Sequence, residues 1–160
     1  MKKLSSIISG LTLTILLFAS CNLIKSEDEK IADALVGKSY EEDRVDDEGG
    51  KFKNIKHEFF KDGKFKSKST YESVVSDTSF ETSDINFEIQ GQWKVKDKLI
   101  YYTYDFDKLK VTPDFYMNMK DEMIKSIKDK NTPDKVIEYD AMKIVYENSD
   151  GQRYVKKKIY

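Results

Sequence analysis

Residues that build common enzyme and metal sites are scarce in this chain of 160 residues. It has one cysteine, Cys21, and one histidine, His57. A single cysteine excludes an internal disulfide and a Cys-x-x-Cys motif, and a single histidine excludes the His-Glu-x-x-His zinc motif. The serine-hydrolase motif Gly-x-Ser-x-Gly and glycine-rich phosphate loops are also missing. The sequence therefore predicts no catalytic residue, no metal and no cofactor, and it does not indicate an enzyme.

The chain also has no large excess of basic or acidic residues. The chain has 28 basic and 29 acidic residues, for a net charge of −1. Nucleic-acid-binding domains usually carry a clear basic excess, so we expect no nucleic-acid partner. No apolar run occurs beyond the first 18 residues, and that first run is short for a membrane span.

The N-terminus has the features of a secretion signal. Lys2 and Lys3 precede the uncharged apolar segment 4–18, and Ala19 and Ser20 precede Cys21. The segment Leu-Phe-Ala-Ser-Cys at 17–21 resembles the lipobox of bacterial lipoproteins. The resemblance implies cleavage before Cys21 and attachment of lipid, including palmitate, to this residue. The alternative is an ordinary signal peptide that is cut near Ala19 and leaves a free thiol.

This resemblance also implies a location and a domain organisation. Residues 1–20 would be the signal peptide, residues 21–29 a tether, and residues 30–160 one folded domain on a membrane anchor. We expect a lipid-anchored protein of the cell envelope, at the outer membrane or cell surface, with the periplasmic face as the alternative.

The longest regular pattern lies at residues 85–95. Odd positions are apolar except Gly91, and even positions are polar, which is typical of a strand with one buried face. A strand of this length has to curl, and Gly91 is the expected place for a bend. A long curled strand of this kind is typical of a small barrel.

Hairpin signals surround this strand. Lys-Asp-Gly at 61–63 predicts a turn between strands at 52–60 and 64–75. A three-residue loop, which we prefer, would place Phe59 opposite Phe65 and put His57 on the same interior face. A two-residue Asp-Gly turn would instead pair Phe60 with Phe65. Asp97 and Lys98 predict a tight turn into a strand at 99–106. At the C-terminal end we predict a hairpin of residues 136–147 and 152–159, with a bulge near Ala141.

Two helices are predicted. The acidic segment from Asp28 begins a short helix that ends at Leu35. A longer amphipathic helix begins with Thr112 as its cap and Pro113 in its first turn, and its apolar stripe includes Phe115 and Met123.

The order of elements resembles the lipocalin-like domains of bacterial lipoproteins. The residues that carry the resemblance are Leu-Val-Gly-Lys-Ser-Tyr at 35–40, Phe-Lys-Asp-Gly-Lys-Phe at 60–65 and Gly-Gln-Trp-Lys-Val at 91–95. The predicted fold class is therefore mainly β, an antiparallel meander of about eight strands forming a small lipocalin-like barrel, with one amphipathic helix late in the chain.

The aromatic residues on the predicted interior face are the candidate ligand site. They are Trp93, Tyr102, Tyr104 and Phe87, which would line a pocket for a small apolar or amphipathic ligand. Eight-stranded barrels are either filled by side chains or hold one small ligand, so a filled core is the alternative. A second hypothesis is an accessory protein that docks an envelope protein through the barrel surface.

Overall fold

The computed structural model describes residues 25–45, 50–72, 84–113, 117–129 and 131–159. The predicted signal peptide 1–20 and Cys21 lie outside these residues. No helix within the described ranges is long and apolar enough to cross a membrane. The elements are α1 (Glu27–Leu35), β1 (Gly37–Glu41), β2 (Arg44–Val45), β3 (Lys51–Phe59), β4 (Lys64–Glu72), β5 (Ile85–Lys96), β6 (Leu99–Tyr104), a 3-10 turn (Phe106–Lys108), β7 (Lys110–Thr112), α2 (Met117–Asp129), β8 (Asp134–Tyr139), β9 (Lys143–Glu147) and β10 (Arg153–Ile159).

Eight of the strands close into an antiparallel barrel. Strand β1 pairs with β10 on one side and with β3 on the other. These two pairings join the edges of the sheet and close the barrel. The order around the barrel is β1-β10-β9-β8-β6-β5-β4-β3. The short strands β2 and β7 add to it by pairing with β3 and β5. The predicted small lipocalin-like barrel is confirmed.

Strand β5 has the predicted two-sided character. Trp93 is only 8% exposed, and Ile85 and Phe87 are also buried, whereas Gln92 and Lys94 are exposed. Its pairing partner changes along its length, from β7 at residues 86–88 to β6 at residues 91–96. Gly91 lies at this change. A Cβ atom there would overlap the Thr103 carbonyl oxygen, so only glycine allows the close approach of the two backbones.

The β3–β4 hairpin has the predicted three-residue loop. Gly63 has a φ of +79°, and Phe59 lies opposite Phe65. The Phe60 N–H donates to the Lys64 carbonyl at 2.8 Å, and the Gly63 N–H donates to the Phe60 carbonyl at 3.0 Å. This register places both phenylalanines inside the barrel.

Helix α1 closes one end of the barrel. It begins with a capping box, in which the Ser26 hydroxyl accepts from the Glu29 N–H and the Glu29 carboxylate accepts from the Ser26 N–H. Ile31 and Leu35 are buried against the barrel core. The Asp28 carboxylate accepts from the N–H groups of Asp97 and Lys98, each at 2.9 Å, and these two residues form the left-handed turn between β5 and β6. The helix therefore starts within the segment assigned to the tether.

The C-terminal strands differ from the predicted hairpin. Residues 136–147 are not one bulged arm but parts of two antiparallel strands, β8 and β9, with Tyr139 opposite Ile144. The Asp140 carboxylate accepts from the N–H groups of Met142 at 2.6 Å and Lys143 at 2.9 Å, which makes residues 140–142 a turn. The predicted bulge near Ala141 was wrong, because the shift in the apolar pattern marks a change of strand.

The region before α2 also differs from the prediction. Thr112 is the last residue of β7, whose residues 110–112 pair with residues 86–88, so it does not cap the helix. Phe106 lies in the 3-10 turn and not in strand β6. Met123 of α2 packs against the apolar cluster formed by Ile85, Phe87 and Val111. Phe115 lies outside the described residues.

Candidate ligand cavity and buried ion cluster

The interior is not apolar throughout, because β1 and β10 point polar side chains inward. Glu41 and Lys156 are each only 4% exposed, and Ser39 is buried as well. Two apolar side chains of the same strands face outward, with Tyr40 41% exposed and Ile159 45% exposed. Since side chains alternate along a strand, the inward direction of Glu41 fixes the outward direction of Tyr40. The barrel thus contains a charged wall.

Glu41 is the centre of this wall. The Lys156 ammonium lies 2.8 Å from Glu41 Oε1, and the Tyr146 hydroxyl donates to the same oxygen at 2.8 Å. The Arg44 guanidinium forms an ion pair with Glu41 Oε2 and also donates to the Tyr146 hydroxyl. His57 Nε2 lies 2.9 Å from Glu41 Oε1, outside hydrogen-bond geometry. We call Glu41, Arg44, His57, Tyr146 and Lys156 the ion cluster.

Two aromatic rings support the cations of the ion cluster. Lys156 Nζ lies 3.5 Å from the centroid of the Tyr146 ring, and Arg44 Cζ lies 3.9 Å from the centroid of the Tyr154 ring. A cation over the face of a ring is attracted to its quadrupole, and this attraction is stronger when water is excluded. Each cation is therefore held from two sides, by the carboxylate and by a ring.

Burial shifts the pKa values of Lys156 and His57 towards their neutral forms. It lowers the pKa of Lys156 to about 7, a shift that Arg44 increases and Asp134 opposes. It also lowers the pKa of His57 well below its usual value, helped by Lys156 and Arg44, so this imidazole is neutral at pH 7. On the facing strand β8, burial raises the pKa of the Asp134 carboxyl.

The ion cluster borders a cavity of about 350 Å³ inside the barrel. Aromatic and apolar walls come from Phe65 and Tyr104 and, at the side of α2, from Ile127. Exposed residues also line the cavity, among them Asn131 before β8 and Asp150 between β9 and β10. Because these residues reach the surface, they mark the mouth of the cavity, at the opposite side of the ion cluster from α1.

Several polar atoms at the cavity wall have no hydrogen-bond partner among the described residues. Besides Glu41 Oε2, which is ion-paired with Arg44, they are Arg44 Nε, His57 Nε2 and the hydroxyl of Tyr102. The Tyr102 hydroxyl lies near Asp134, and burial together with this carboxyl raises its pKa, but the two do not reach ordinary hydrogen-bond geometry. Buried polar atoms are nearly always paired in native proteins. Three such atoms on one cavity indicate a place for polar groups that enter it.

The structure separates the four residues of the predicted ligand site. Tyr102 and Tyr104 line the cavity. Trp93 belongs to the core under α1, where its indole N–H donates to the Lys64 carbonyl at 2.9 Å. Phe87 belongs to the separate apolar cluster beneath α2. The aromatic face of the sheet is therefore divided between packed core and cavity wall.

Sequence reasoning missed most of the ion cluster. Glu41, Arg44 and Lys156 look like surface charges in a chain that is 36% charged. The run Tyr-Val-Lys-Lys-Lys-Ile at 154–159 indicates a strand in which at least one lysine faces inward. It does not show which lysine this is. Only the pairing of β10 with β1 and β9 decides that it is Lys156. His57 was assigned to the interior face, but its charged neighbours were not expected.

The described ranges contain no group of three or more His, Cys, Asp or Glu side chains placed to hold a metal ion. No protein-family model matches the chain, and the search of curated proteins finds no relative. Its function has to be inferred from the cavity and the ion cluster.

Proposed function

We propose that the protein is a lipid-anchored lipoprotein of the cell envelope whose barrel binds a small amphipathic ligand. The proposed anchor is Cys21, which follows the signal-like segment 1–20, and the proposed location is the outer membrane or cell surface. The folded domain begins at α1, only six residues after Cys21. Such a short connection would hold the barrel close to the lipid surface.

The observation that carries the binding function is the cavity with its unpaired polar atoms. A volume of about 350 Å³ lies at the small end of the range for ligand pockets, roughly 300–1,000 Å³. Its wall offers rings for an apolar part of a ligand, and Arg44, His57 and Tyr102 for a polar part. A purely apolar ligand would leave these polar atoms unpaired, at a cost of about 1–3 kcal/mol each. An amphipathic ligand fits better.

We propose binding without turnover. The Glu41 carboxylate is the best-placed base in the cavity, but it is already engaged by Arg44, Lys156 and Tyr146. Its proton exchange is therefore limited to these partners and to groups bonded to them. In this arrangement the carboxylate holds the cluster together.

Native mass spectrometry of the lipoprotein extracted from its own host tests this function. We expect a small molecule that stays bound at low collision energy. Ser67→Phe should expel it, because Ser67 lines the cavity and a phenyl ring would fill much of the space. The matched control is Thr103→Phe, which adds the same ring at an exposed position of β6.

The outcomes separate the hypotheses. A bound small molecule that is lost in Ser67→Phe and kept in Thr103→Phe supports ligand binding. A protein that co-purifies equally with all three forms, with no small molecule, would favour the alternative of an accessory protein that docks through the barrel surface. A small molecule that Ser67→Phe retains would show that the cavity is not its site.

A further inference from the structure

Among the residues that the structure describes, Lys156 is the buried lysine, with only 4% of its surface exposed. Its Nζ lies 2.8 Å from Glu41 Oε1 and borders the cavity. The neighbouring Lys157 points outward and pairs with Glu42 at 2.7 Å, with 43% of its side chain exposed. The two side chains lie on one strand in opposite environments. The reactivity of the buried Lys156 amine can therefore be compared directly with that of the exposed Lys157 amine.

We propose that Lys156 binds carbonyl ligands covalently and reversibly, by forming an imine with an aldehyde that enters the cavity. This inference rests on the proposed ligand-binding function and names a ligand class for it. The ammonium and the aldehyde give a protonated imine and one water molecule. The C=O double bond is replaced by a C=N double bond, nothing is oxidised or reduced, and the positive charge is conserved.

The position of Glu41 fits both halves of this reaction. The ammonium has to lose a proton before its nitrogen can attack the carbonyl carbon, and Glu41 Oε1 lies in hydrogen-bond contact to accept it. The hydroxyl of the resulting carbinolamine has to gain a proton before it leaves as water, and the same carboxyl group can return it. Glu41 then faces the protonated imine as it faced the ammonium, so the ion pair is kept.

Burial of Lys156 favours a neutral amine, whereas the Glu41 carboxylate at 2.8 Å favours the ammonium. Burial lowers the pKa of Lys156 to about 7. A lowered pKa raises the neutral fraction of the amine at pH 7 above the roughly one in 2,500 of a lysine with the reference pKa of ~10.4. Lys156 shares the cavity with other charged and titratable groups, which are Glu41, Arg44, His57, Tyr102, Tyr104, Asp134, Tyr146, Asp150 and Tyr154.

The shape of the site also fits a carbonyl compound. The Tyr146 ring under the amine suits a cationic imine, since Lys156 Nζ lies 3.5 Å from its centroid. Polar atoms of Arg44 and Tyr102 lie unpaired at the same cavity for further polar groups of the ligand. The mouth near Asn131 and Asp150 gives a small aldehyde a route to the amine.

Reductive trapping tests the inference. The full-length lipoprotein, purified in nonionic detergent, is treated with propanal and cyanoborohydride, and adducts are located by peptide mass spectrometry over time. We expect the first adduct at Lys156, with a trapping rate about tenfold or more above that of Lys157 at pH 7. The rate at Lys156 should level off above about pH 7, whereas the rate at exposed lysines should keep rising towards their higher pKa.

Two variants serve as matched controls. Lys156→Arg keeps the positive charge beside Glu41 but cannot form an imine, so the early adduct should disappear. Lys157→Arg makes the same change on the outer face and should leave the early adduct in place. If Lys156→Arg does not fold, Ser67→Phe decides, because filling the cavity should slow trapping at Lys156 by about the same factor.

Contrary results are well defined. Adducts spread over exposed lysines without an early one, or an early adduct that Lys156→Arg retains, would overturn the inference. So would trapping that is as fast in Ser67→Phe as in the unsubstituted protein. A non-covalent molecule that native mass spectrometry still finds in the cavity would then leave the binding function standing. If neither an early adduct at Lys156 nor a bound small molecule is found, the proposed ligand-binding function is wrong as well.

Discussion

The barrel interior has two regions that are equally buried and chemically opposite. At the end closed by α1, Ile31, Phe59 and Ile100 form an apolar core. Along β1 and β10, Glu41 and Lys156 are as well shielded from water, but they carry charge. Burying an apolar side chain stabilises a fold by about 1.5–3 kcal/mol. A buried ion pair gains little net stability, because desolvation of both charges offsets their attraction.

This difference indicates that the apolar region stabilises the fold, and that the burial of the ion cluster has a reason other than stability. The apolar end accounts for the stability of the barrel and for the docking of α1. The ion cluster contributes little that an apolar wall would not provide. Its position beside a cavity with unpaired polar atoms makes ligand binding the better explanation, and the predictions below test the contrast.

The largest effect is expected in the apolar end. Phe59→Ala removes a ring that packs against Phe65, with centroids 6.1 Å apart, and edge-on against Trp93, with centroids 5.5 Å apart. We expect the free energy of unfolding, measured in urea, to fall by about 3–5 kcal/mol. The exposed control Tyr40→Ala should lower it by less than about 1 kcal/mol. A small effect of Phe59→Ala would mean that this end is not the stabilising core.

A comparable loss should follow when only one partner of the ion cluster is removed. Glu41→Ala leaves Arg44 and Lys156 without their carboxylate, and we expect a loss of about 3–5 kcal/mol in the same measurement. The double variant Glu41→Met with Lys156→Met should recover part of this stability, because Lys156 is no longer left unpaired and the Arg44 side chain, 32% exposed, can reach water. It should lose the bound ligand in native mass spectrometry. If the double variant is as unstable as Glu41→Ala, the ion cluster is structural, and the contrast with the apolar end fails.

The charged wall should also make stability depend on pH. His57 has a lowered pKa in the folded protein, so its protonation in the unfolded chain reduces stability as the pH falls below about 6.5. Lys156 also has a lowered pKa, of about 7, so stability rises from about pH 7 towards its unfolded pKa of ~10.4. Asp134 opposes this trend, because its raised pKa gives stability that is lost as the pH rises through that pKa.

The size of this dependence can be checked by urea unfolding at several pH values. Each group contributes at most about 1.4 kcal/mol per pH unit. Lys156→Met should flatten the rise above about pH 7, and Phe59→Ala, which removes no titratable group, should lower the whole curve without changing its slope. If the free energy of unfolding of Lys156→Met still rises above about pH 7, the rise is due to other titratable groups.

The smallest effect concerns the start of α1. Ser26→Ala removes the hydroxyl that accepts from the Glu29 N–H at 3.2 Å, and we expect a loss of about 1 kcal/mol in thermal or urea unfolding. Ser26→Asp keeps an acceptor at the cap and should keep the stability. Equal losses in both variants would show that the cap does not hold α1 against the apolar end.

The sequence predicted the apolar half of this structure well. The alternation through β5 and the Asp-Gly loop after Phe59 were sufficient for the strands, their inner faces and the register of one hairpin, because these patterns depend on neighbours in the chain. The division of residues 136–147 into β8 and β9 was missed, since a turn closed by Asp140 and a bulge give the same shift of apolar positions. Strand β7 was missed because its three residues acquire their pattern only by pairing with β5.

The charged half depended on long-range pairing. The sequence by itself determined a one-sided sheet, a short helix before Gly37 and a lipobox-like segment at 17–21, because each follows from local periodicity or a short motif. Only the closure of β1 onto both β3 and β10 brought Glu41, His57 and Lys156 together, although more than 100 positions separate Glu41 from Tyr146 and Lys156. The sequence does not distinguish Lys156 from the neighbouring lysines, because only the pairing of β10 within the barrel determines which face of the strand is buried.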